Sequence, residues 1–266
     1  MGFHRCFSVR LWDRGIEAAI AHIVEAAASG ATGYGCFANA HMIGESRRNQ
    51  ELLRAMRRAT WVFPDGRPVA VLLRWRGASQ AGQVPGPETV EGILPVAAAR
   101  GLPIYLFGGN EDVLQVLSRE LPQRYHGLNV VGAYSPPFRN WTAEEEAENA
   151  ARIRSSGAKI CLVALGCPKQ EIWMLRNAEA CGCICLGVGA AFPMLAGRTP
   201  RAPKLVRAIA MEWMWRWIQE PKRLTHRYTV GNLRFGAAVW REFRYSRGRR
   251  IFTGRRLAQH AGQHYL

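Results

Sequence analysis

Aspartate is scarce in this 266-residue chain. Its three aspartates are Asp13, Asp65 and Asp112, and no Asp-x-Asp pair occurs. The usual carboxylate clamp for a metal–nucleotide complex is therefore missing. A reaction that releases an anionic leaving group would have to stabilise it with backbone amides, helix N-termini and cations. We predict neither a metal nor any other cofactor.

The first 20 residues lack a continuous apolar run, because Arg5, Arg10, Asp13 and Arg14 interrupt it. This pattern predicts no cleaved signal peptide. The cysteine count of seven is odd, and together the two observations indicate free thiols in a reducing cytosol.

No paired cysteine or histidine cluster accompanies the run Cys181-x-Cys183-x-Cys185. We predict that these thiols lie on one face of a buried strand rather than in a metal site. The stretch Ala180–Gly197 is uncharged, which raises the question of a membrane span. Its glycines and Pro193 favour a buried strand followed by a glycine-rich loop.

Positive charge is abundant, with a formal net charge of +16. Residues 1–197 carry 20 Lys/Arg and 17 Asp/Glu, whereas residues 198–266 carry 16 Lys/Arg and three glutamates. The excess therefore lies mainly in the tail, and it predicts an anionic partner such as nucleic acid, acidic lipid or a phosphorylated substrate.

Short apolar runs alternate with amphipathic segments up to residue 197, which predicts an α/β fold with a Rossmann-like parallel sheet flanked by helices. A basic helical appendage at 198–245 and a flexible basic tail at 246–266 follow. The predicted strands are Gly33–Ala38, Trp61–Pro64, Pro103–Phe107, Leu128–Ala133, Lys159–Leu165 and Cys183–Val188. The predicted helices are Gly15–Ala28, Gln50–Ala59, Pro87–Ala99, Glu111–Leu121, Ala143–Arg154, Gln170–Ala180, Ala202–Gln219 and Pro221–Phe243.

Two charged or aromatic segments have competing interpretations. We interpret the acidic run Glu144–Glu146 as a solvated helix start rather than a metal site. In the appendage, tryptophans among arginines are typical of a membrane-surface segment. The alternative is that the rings pack on the sheet domain while the arginines are solvated. The tryptophans are Trp213, Trp215, Trp217 and Trp240.

Distinctive residues follow several predicted strands, where open parallel sheets bind ligands. A double glycine such as Gly108-Gly109 permits close approach of a diphosphate, but it is also a common tight turn. Asp65 at a strand–loop junction fits a general base. An Asp-Gly turn without chemistry is the alternative.

The order of the motifs resembles the WecG/TagA/CpsF family, glycosyltransferase family 26, from about Gly33 to Tyr228. The Pro-Lys-Gln-Glu block and the Arg-Ala-Pro…Glu-Trp…Glu-Pro-x-Arg blocks are highly specific together. The motifs are Asn39-Ala40-His41, Pro64-Asp65-Gly66, Val84-Pro85-Gly86-Pro87-Glu88, Phe107-Gly108-Gly109, Gly166-Cys167-Pro168-Lys169-Gln170-Glu171, Gly187-Val188-Gly189-Ala190-Ala191-Phe192, Gly197-Arg198, Arg201-Ala202-Pro203, Glu212-Trp213, Arg216 and Glu220-Pro221-Lys222-Arg223.

The resemblance implies transfer of a sugar from a UDP donor to an undecaprenyl-diphosphate-linked sugar, with inversion and without a metal, for surface polysaccharide. It implies a basic appendage that docks on the inner face of the cell membrane and completes the active site. It assigns the base to Asp65 and further catalytic roles to Asn39 and Gln170. The expected donor-binding residues are Gly108, Gly109, Gly166, Lys169, Gln170 and Gly189. The expected acceptor-diphosphate residues are Arg201, Arg216, Arg223 and Arg227.

The chain departs from the family pattern at four places. Phe37 replaces a threonine, Gln83 replaces an arginine, Glu88 stands for an aspartate, and Phe192-Pro193-Met194 replaces Phe-Asp-Phe. These changes remove a hydroxyl and two charges, groups of the kind that recognise a charged or amide substituent of a sugar. The donor sugar therefore stays open among N-acetylmannosamine, its uronic acid and glucose.

Two other function classes share features with this chain. A nucleic-acid-binding protein fits the charge, but RNP-type, zinc-finger and helix-turn-helix signatures are absent. A dinucleotide-dependent oxidoreductase shares the fold class, but a Gly-x-Gly-x-x-Gly loop after the first strand is absent. We expect a UDP-sugar, a polyprenyl-diphosphate-linked acceptor and an anionic membrane surface as partners, and no nucleic acid. A homo-oligomer stays open.

Overall fold

The computed structural model describes residues 2–199 and 233–244, where two sheets are formed. The main sheet has six strands in the order β4-β3-β8-β7-β5-β6, and every neighbouring pair is parallel. A separate antiparallel hairpin joins β1 and β2. The strands are β1 (Phe3–Cys6), β2 (Val9–Trp12), β3 (Gly33–Ala38), β4 (Trp61–Pro64), β5 (Ile104–Gly108), β6 (Val130–Tyr134), β7 (Ile160–Ala164) and β8 (Ile184–Gly187).

Helices cover both faces of the main sheet, as the alternation within its strands requires. In β7, Ile160 and Leu162 enter one hydrophobic cluster, whereas Cys161 and Val163 enter the other. Because both faces are buried, the strands are continuous apolar runs in the sequence. Helices α1, α5, α6 and α9 pack on one face, and α2, α3, α4, α7 and α8 pack on the other. The helices are α1 (Ile16–Ala28), α2 (Ala40–Ser46), α3 (Gln50–Arg58), α4 (Arg67–Trp75), α5 (Gly86–Ala99), α6 (Glu111–Arg124), α7 (Ala143–Ser155), α8 (Lys169–Cys181) and α9 (Ala191–Leu195).

The predicted α/β Rossmann-like architecture is confirmed, and five elements were not predicted, namely β1, β2, α2, α4 and α9. Helices α2, α4 and α9 are short, and Pro68 in the first turn of α4 looks like a turn residue in the sequence. The β1–β2 hairpin turns through Phe7 and Ser8, which have φ of 54° and 65°. Such a turn usually carries Asn-Gly or Asp-Gly, so its sequence signal is missing here.

The cysteine run does not lie on a single strand as predicted. Gly182 adopts a left-handed conformation, with φ of 69°, and ends α8 directly after Cys181. Cys181 therefore belongs to a helix, Cys183 lies in the connection, and Cys185 lies in β8. All three are buried in one hydrophobic cluster, where thiols act as small apolar groups.

Two further predictions concern metal binding and membrane spans. The acidic run Glu144–Glu146 forms the first turn of α7, which Thr142 and Glu145 close with a capping box. Within residues 2–199 and 233–244, no cluster of His, Cys, Asp and Glu is arranged to hold a metal ion. No helix of the same ranges is long and apolar enough to cross a bilayer.

A helical segment at 233–244 packs against the β1–β2 hairpin and its surroundings. The backbone N–H of Phe7 donates to the Glu242 carboxylate at 3.1 Å, and the Phe7 and Phe235 rings lie 5.9 Å apart. The Glu242 carboxylate also pairs with Arg76 at 3.4 Å. Trp240 on this segment is 59% exposed, and the predicted positions Trp213, Trp215 and Trp217 lie outside the described residues.

Candidate active site

The carboxyl ends of all six parallel strands meet at one edge of the main sheet. From β3 the chain moves to β4 on one side, whereas β8, β7, β5 and β6 lie on the other side. The strand order therefore reverses between β3 and β8, which is where open α/β sheets form a ligand crevice.

Asp65 follows β4 directly and lies half-buried at this edge. The Asn39 amide nitrogen lies 3.2 Å from Asp65 Oδ2, and the Gly86 backbone N–H donates to Oδ1 at 3.3 Å. Gly86 is the first residue of α5, so the positive end of that helix faces the carboxylate. Both donors favour the ionised form of Asp65 and fix its orientation.

Asn39 has two functions at the end of β3. Its Oδ1 accepts the Met42 backbone N–H at 3.1 Å and thereby caps α2, while its Nδ2 donates to Asp65. The cap sets the rotamer of Asn39, and the rotamer aims the amide N–H at the carboxylate. The structure therefore brings Asn39 and Asp65, two of the expected site residues, into contact.

Two departures from the family pattern lie beside Asp65. The side chain of Gln83 donates to the Asp65 main-chain carbonyl at 2.7 Å and ties the loop before α5 to the Asp-Gly turn. Phe37 is buried and stacks on Phe63 with ring centroids 5.2 Å apart. A phenyl ring therefore fills the space beneath Gly86 where the family pattern has a threonine.

Gln170 is 4% exposed, and its amide is fully engaged with protein groups. Its Oε1 accepts the Gly166 N–H at 3.1 Å, while its Nε2 donates to the Gly187 carbonyl at 2.8 Å and to Glu171 at 2.7 Å. Gly189 lies against the same side chain. Gln170 thus joins the loops that follow β7 and β8, which is a positioning role in this geometry.

Lys169 turns towards the loop after β6 rather than towards Asp65. Its ammonium lies 3.8 Å from the centre of the Trp141 ring and donates to the Arg139 carbonyl at 2.9 Å. Burial lowers the pKa of Lys169, opposed by the Glu146 carboxylate. This lysine holds the loop after β6 onto the start of α8.

The Gly108-Gly109 loop lies at the far side of the edge from Asp65. Gly108 has φ of 91°, and a Cβ there would come within 2.9 Å of the Ala164 carbonyl, so glycine is required by the close approach of the chains. Glu111 and Asp112 occupy the first turn of α6 immediately after the loop. Two carboxylates at this helix start oppose a diphosphate there.

Strand spacing orders the predicted site residues along the edge of the sheet. Four steps lead from β4 to β5, which is about 19 Å at the usual 4.8 Å between strands, whereas two steps, about 10 Å, lead from β3 to β7. Asp65 and Asn39 therefore lie towards one end, Gly108 and Gly109 lie towards the other, and the Gly166 loop lies between them.

Sequence reasoning missed the contacts of Gly86, Gln83 and Ser135. The hydroxyl of Ser135 donates to the Gly109 carbonyl at 2.7 Å and supports that loop. The Pro85-Gly86-Pro87 run before a helix was the available signal for Gly86, because it places a free N–H at a helix start. The predicted acceptor-binding residues Arg201, Arg216, Arg223 and Arg227 lie outside the described residues.

Comparison with protein-family models finds a match to the family described as Glycosyl transferase WecG/TagA/CpsF, over residues 4–249. The match covers most of the 266-residue chain and favours a transferase over the nucleic-acid-binding and oxidoreductase alternatives. Membership implies a nucleotide-sugar donor and a lipid-linked acceptor. This chain therefore belongs to the WecG/TagA/CpsF family and is a glycosyltransferase of cell-surface polysaccharide synthesis.

Proposed function

We propose that the protein is an inverting, metal-independent hexosyltransferase that moves a sugar from a UDP-sugar to an undecaprenyl-diphosphate-linked sugar. The observation that carries the proposal is the Asp65 carboxylate, which Asn39 and the N-terminus of α5 hold beside the crevice between β3 and β8. The reaction is a single displacement at the anomeric carbon, with inversion because the acceptor attacks opposite the leaving UDP.

Asp65 acts as the general base in this scheme. It accepts the proton of the acceptor hydroxyl as that oxygen attacks the anomeric carbon. The N–H groups of Asn39 and Gly86 each occupy one carboxylate oxygen, and each carboxylate oxygen offers more than one lone-pair direction. General-base assistance of this kind is worth about 10²–10⁴ in rate.

Distances within the sheet support one position for the donor in this proposal. The acceptor hydroxyl must lie about 3 Å from Asp65 and about 3.5 Å from the anomeric carbon. The leaving diphosphate is attached to that anomeric carbon, so its nearer phosphate lies within roughly 10 Å of Asp65. Asn39 holds the carboxylate at the end of β3, and the Gly108-Gly109 loop follows β5, three strands away. That separation is about 14 Å by strand spacing, which is beyond this reach.

We therefore assign the diphosphate to the ends of β3 and β8, near Gly189, and the nucleoside to the region of Gly108-Gly109 and Gly166. This revises the sequence-based hypothesis, which placed the diphosphate on the double glycine. Gln170 and Lys169 support the donor site by holding its loops. Arg216 and Arg223, with Arg201 and Arg227, bind the acceptor diphosphate in this proposal.

The protein works at the inner face of the cell membrane, as a peripheral enzyme, because its acceptor is anchored there by a polyprenyl chain. Gln83 and Glu88 change the polar groups near the crevice relative to the family pattern, whereas Phe37 fills the core beneath it. We propose that the donor is a neutral sugar, since an arginine that would pair with a uronate is replaced by Gln83, whose amide is bound to the Asp65 carbonyl.

The test is a UDP-release screen over donor sugars with a lipid-diphosphate acceptor. Asp65→Asn lowers kcat by about 10²–10⁴ while the thermal unfolding midpoint stays near that of the wild type. Asp13→Asn removes one aspartate charge outside the residues assigned to substrate binding and serves as the matched control. Full turnover by Asp65→Asn excludes Asp65 as the base.

A further inference from the structure

A second basic region lies within the α/β domain, away from the candidate active site. The segment 47–58 carries five arginines and one acid, Glu51, and therefore contributes +4. Residues 1–197 as a whole carry only +3, so the remainder of the domain is slightly acidic. Glu51 is itself neutralised by Arg176 at 2.8 Å.

Three of these arginines line one cleft. Arg54, Arg57 and Arg58 lie on the last turns of α3 and, with Leu175 of α8, enclose about 340 Å³. This volume is at the lower end of the range for small-ligand sites, roughly 300–1,000 Å³. All three side chains are exposed.

The guanidinium groups of this cleft are not neutralised within the described part of the chain. None of the three pairs with a carboxylate of residues 2–199 or 233–244. Arg57 Nε donates to the Ser8 carbonyl at 3.2 Å, which fixes one guanidinium and leaves its charge uncompensated. A helix C-terminus favours cations, but a single basic residue satisfies that preference. Three uncompensated guanidinium groups in one cleft have the charge and hydrogen-bond donors that a phosphate group requires.

Neighbouring residues indicate the kind of phosphate. The Ser8 carbonyl that accepts the hydrogen bond from Arg57 belongs to the Phe7–Ser8 turn. The same turn contacts the 233–244 segment, because Phe7 bonds to Glu242 and packs near the Phe235 ring. That segment exposes Leu233 at 76% and Trp240 at 59%. The Arg244 guanidinium lies 4.7 Å from the Trp240 ring centre. Exposed indole and aliphatic groups beside arginines match the headgroup region of a bilayer.

We propose that the cleft of Arg54, Arg57 and Arg58 binds the phosphate of an anionic lipid headgroup and forms a membrane contact within the α/β domain. The proposal rests on the proposed function only in requiring that the enzyme meets a membrane. Together with the 233–244 segment, the cleft orients the helical layer of α3 and α8 towards the lipid. Nucleic acid and soluble phosphate are the competing ligands.

The experiment uses the full chain and vesicles of phosphatidylcholine that contain about 30% phosphatidylglycerol, which supplies the anionic headgroup. Arg54→Gln/Arg58→Gln removes two charges from the cleft and keeps Arg57, which the turn requires. Arg100→Gln/Arg119→Gln is the control for a loss of two exposed charges, taken from the opposite helical layer, where Arg100 pairs with Glu25 and Arg119 with Glu120. Each arginine near an anionic surface contributes about 1 kcal/mol, so the cleft variant should bind about 30-fold more weakly.

Each outcome decides the proposal. A loss confined to the cleft variant supports it, whereas equal losses in both variants, or none in either, overturn it in favour of diffuse charge or the tail alone. If the cleft variant instead loses only protection against unfolding by inorganic phosphate, the ligand is a soluble phosphate. If it loses only binding to DNA, the ligand is nucleic acid.

A separate assay distinguishes failure of this inference from failure of the proposed function. Turnover on a short-chain, water-soluble acceptor without vesicles should be unchanged in the cleft variant. If the wild type shows no such turnover with any donor, the proposed function fails, and the vesicle result still decides the lipid site.

Discussion

Replacing Gln170 by leucine separates a structural role of this residue from a catalytic one. The side chain is buried and forms three hydrogen bonds, to Gly166, Gly187 and Glu171. Leucine is similar in size, so the change removes the hydrogen bonds without opening a large cavity. The loops after β7 and β8 then lose the group that joins them.

The magnitude follows from the three contacts. The bond to the Glu171 carboxylate contributes about 1.5–3 kcal/mol, and each neutral bond about 0.5–1.5 kcal/mol. Because neighbouring contacts are not additive, we expect a loss of about 3 kcal/mol in the free energy of unfolding. In a domain of this size that corresponds to a fall of roughly 6–12 °C in Tm.

The assay combines thermal unfolding, followed by circular dichroism, with kcat/KM at a temperature where every variant is folded. Gln115→Leu, an exposed position on α6, is the control for the loss of an amide. If Gln170→Leu keeps the wild-type Tm but loses turnover, Gln170 acts on the substrate directly and the positioning role is wrong.

Three further predictions follow from single contacts. Asn39→Asp retains the cap on α2 but replaces the N–H donor to Asp65 with a like charge. We expect near-native stability and a kcat/KM lower by about 10–100-fold, and an undiminished kcat/KM would contradict this. Phe37→Thr restores the family hydroxyl but breaks the stack on Phe63 and leaves a cavity, so denaturant unfolding should show a loss of about 3 kcal/mol, whereas a neutral change would refute it. Burial, followed by the Glu242 carboxylate, raises the pKa of the Cys6 thiol to about 12 from an ordinary 9.0. The folded state therefore favours the protonated thiol, and this stabilisation is complete below pH 9 and is lost as the pH rises towards 12. Between pH 8 and 10.5, unfolding by urea should show a loss of about 2 kcal/mol in the wild type beyond that in Cys6→Ala; equal losses would exclude the thiol.

Five strands of the main sheet, β3, β4, β5, β7 and β8, were predictable because they are buried on both faces, whereas the edge strand β6 is only partly buried. Strands buried on both faces are apolar at every position, as in Ile160–Ala164, and glycines or polar residues mark their ends. Asp65 was predictable for a different reason, its rarity and its place directly after a strand. Both signals are local in the sequence.

The contacts that complete the site were not predictable, because they join residues far apart in the chain. Gly86 and Gln83 contact Asp65 from about 20 residues further along the chain. Neither residue type indicates such a contact in the sequence. The hydrogen-bond partners of Gln170 and Lys169 were not predictable for the same reason. A motif shows that a polar residue starts a helix, whereas its burial and its partners depend on the neighbouring strands.

The surface on which the 233–244 segment packs includes residues near the start of the chain. Phe7 and Glu242 are 235 positions apart, yet they are hydrogen-bonded. Since a chain leaves the ribosome from its N-terminus, the hairpin and the sheet domain can fold before Glu242 is synthesised. An enzyme arranged in this way can pack the 233–244 segment onto a sheet domain that has already folded, so a nascent chain that is still shorter has the crevice without this segment. Extensions or affinity tags placed before Phe3 would lie close to this contact between Phe7 and Glu242.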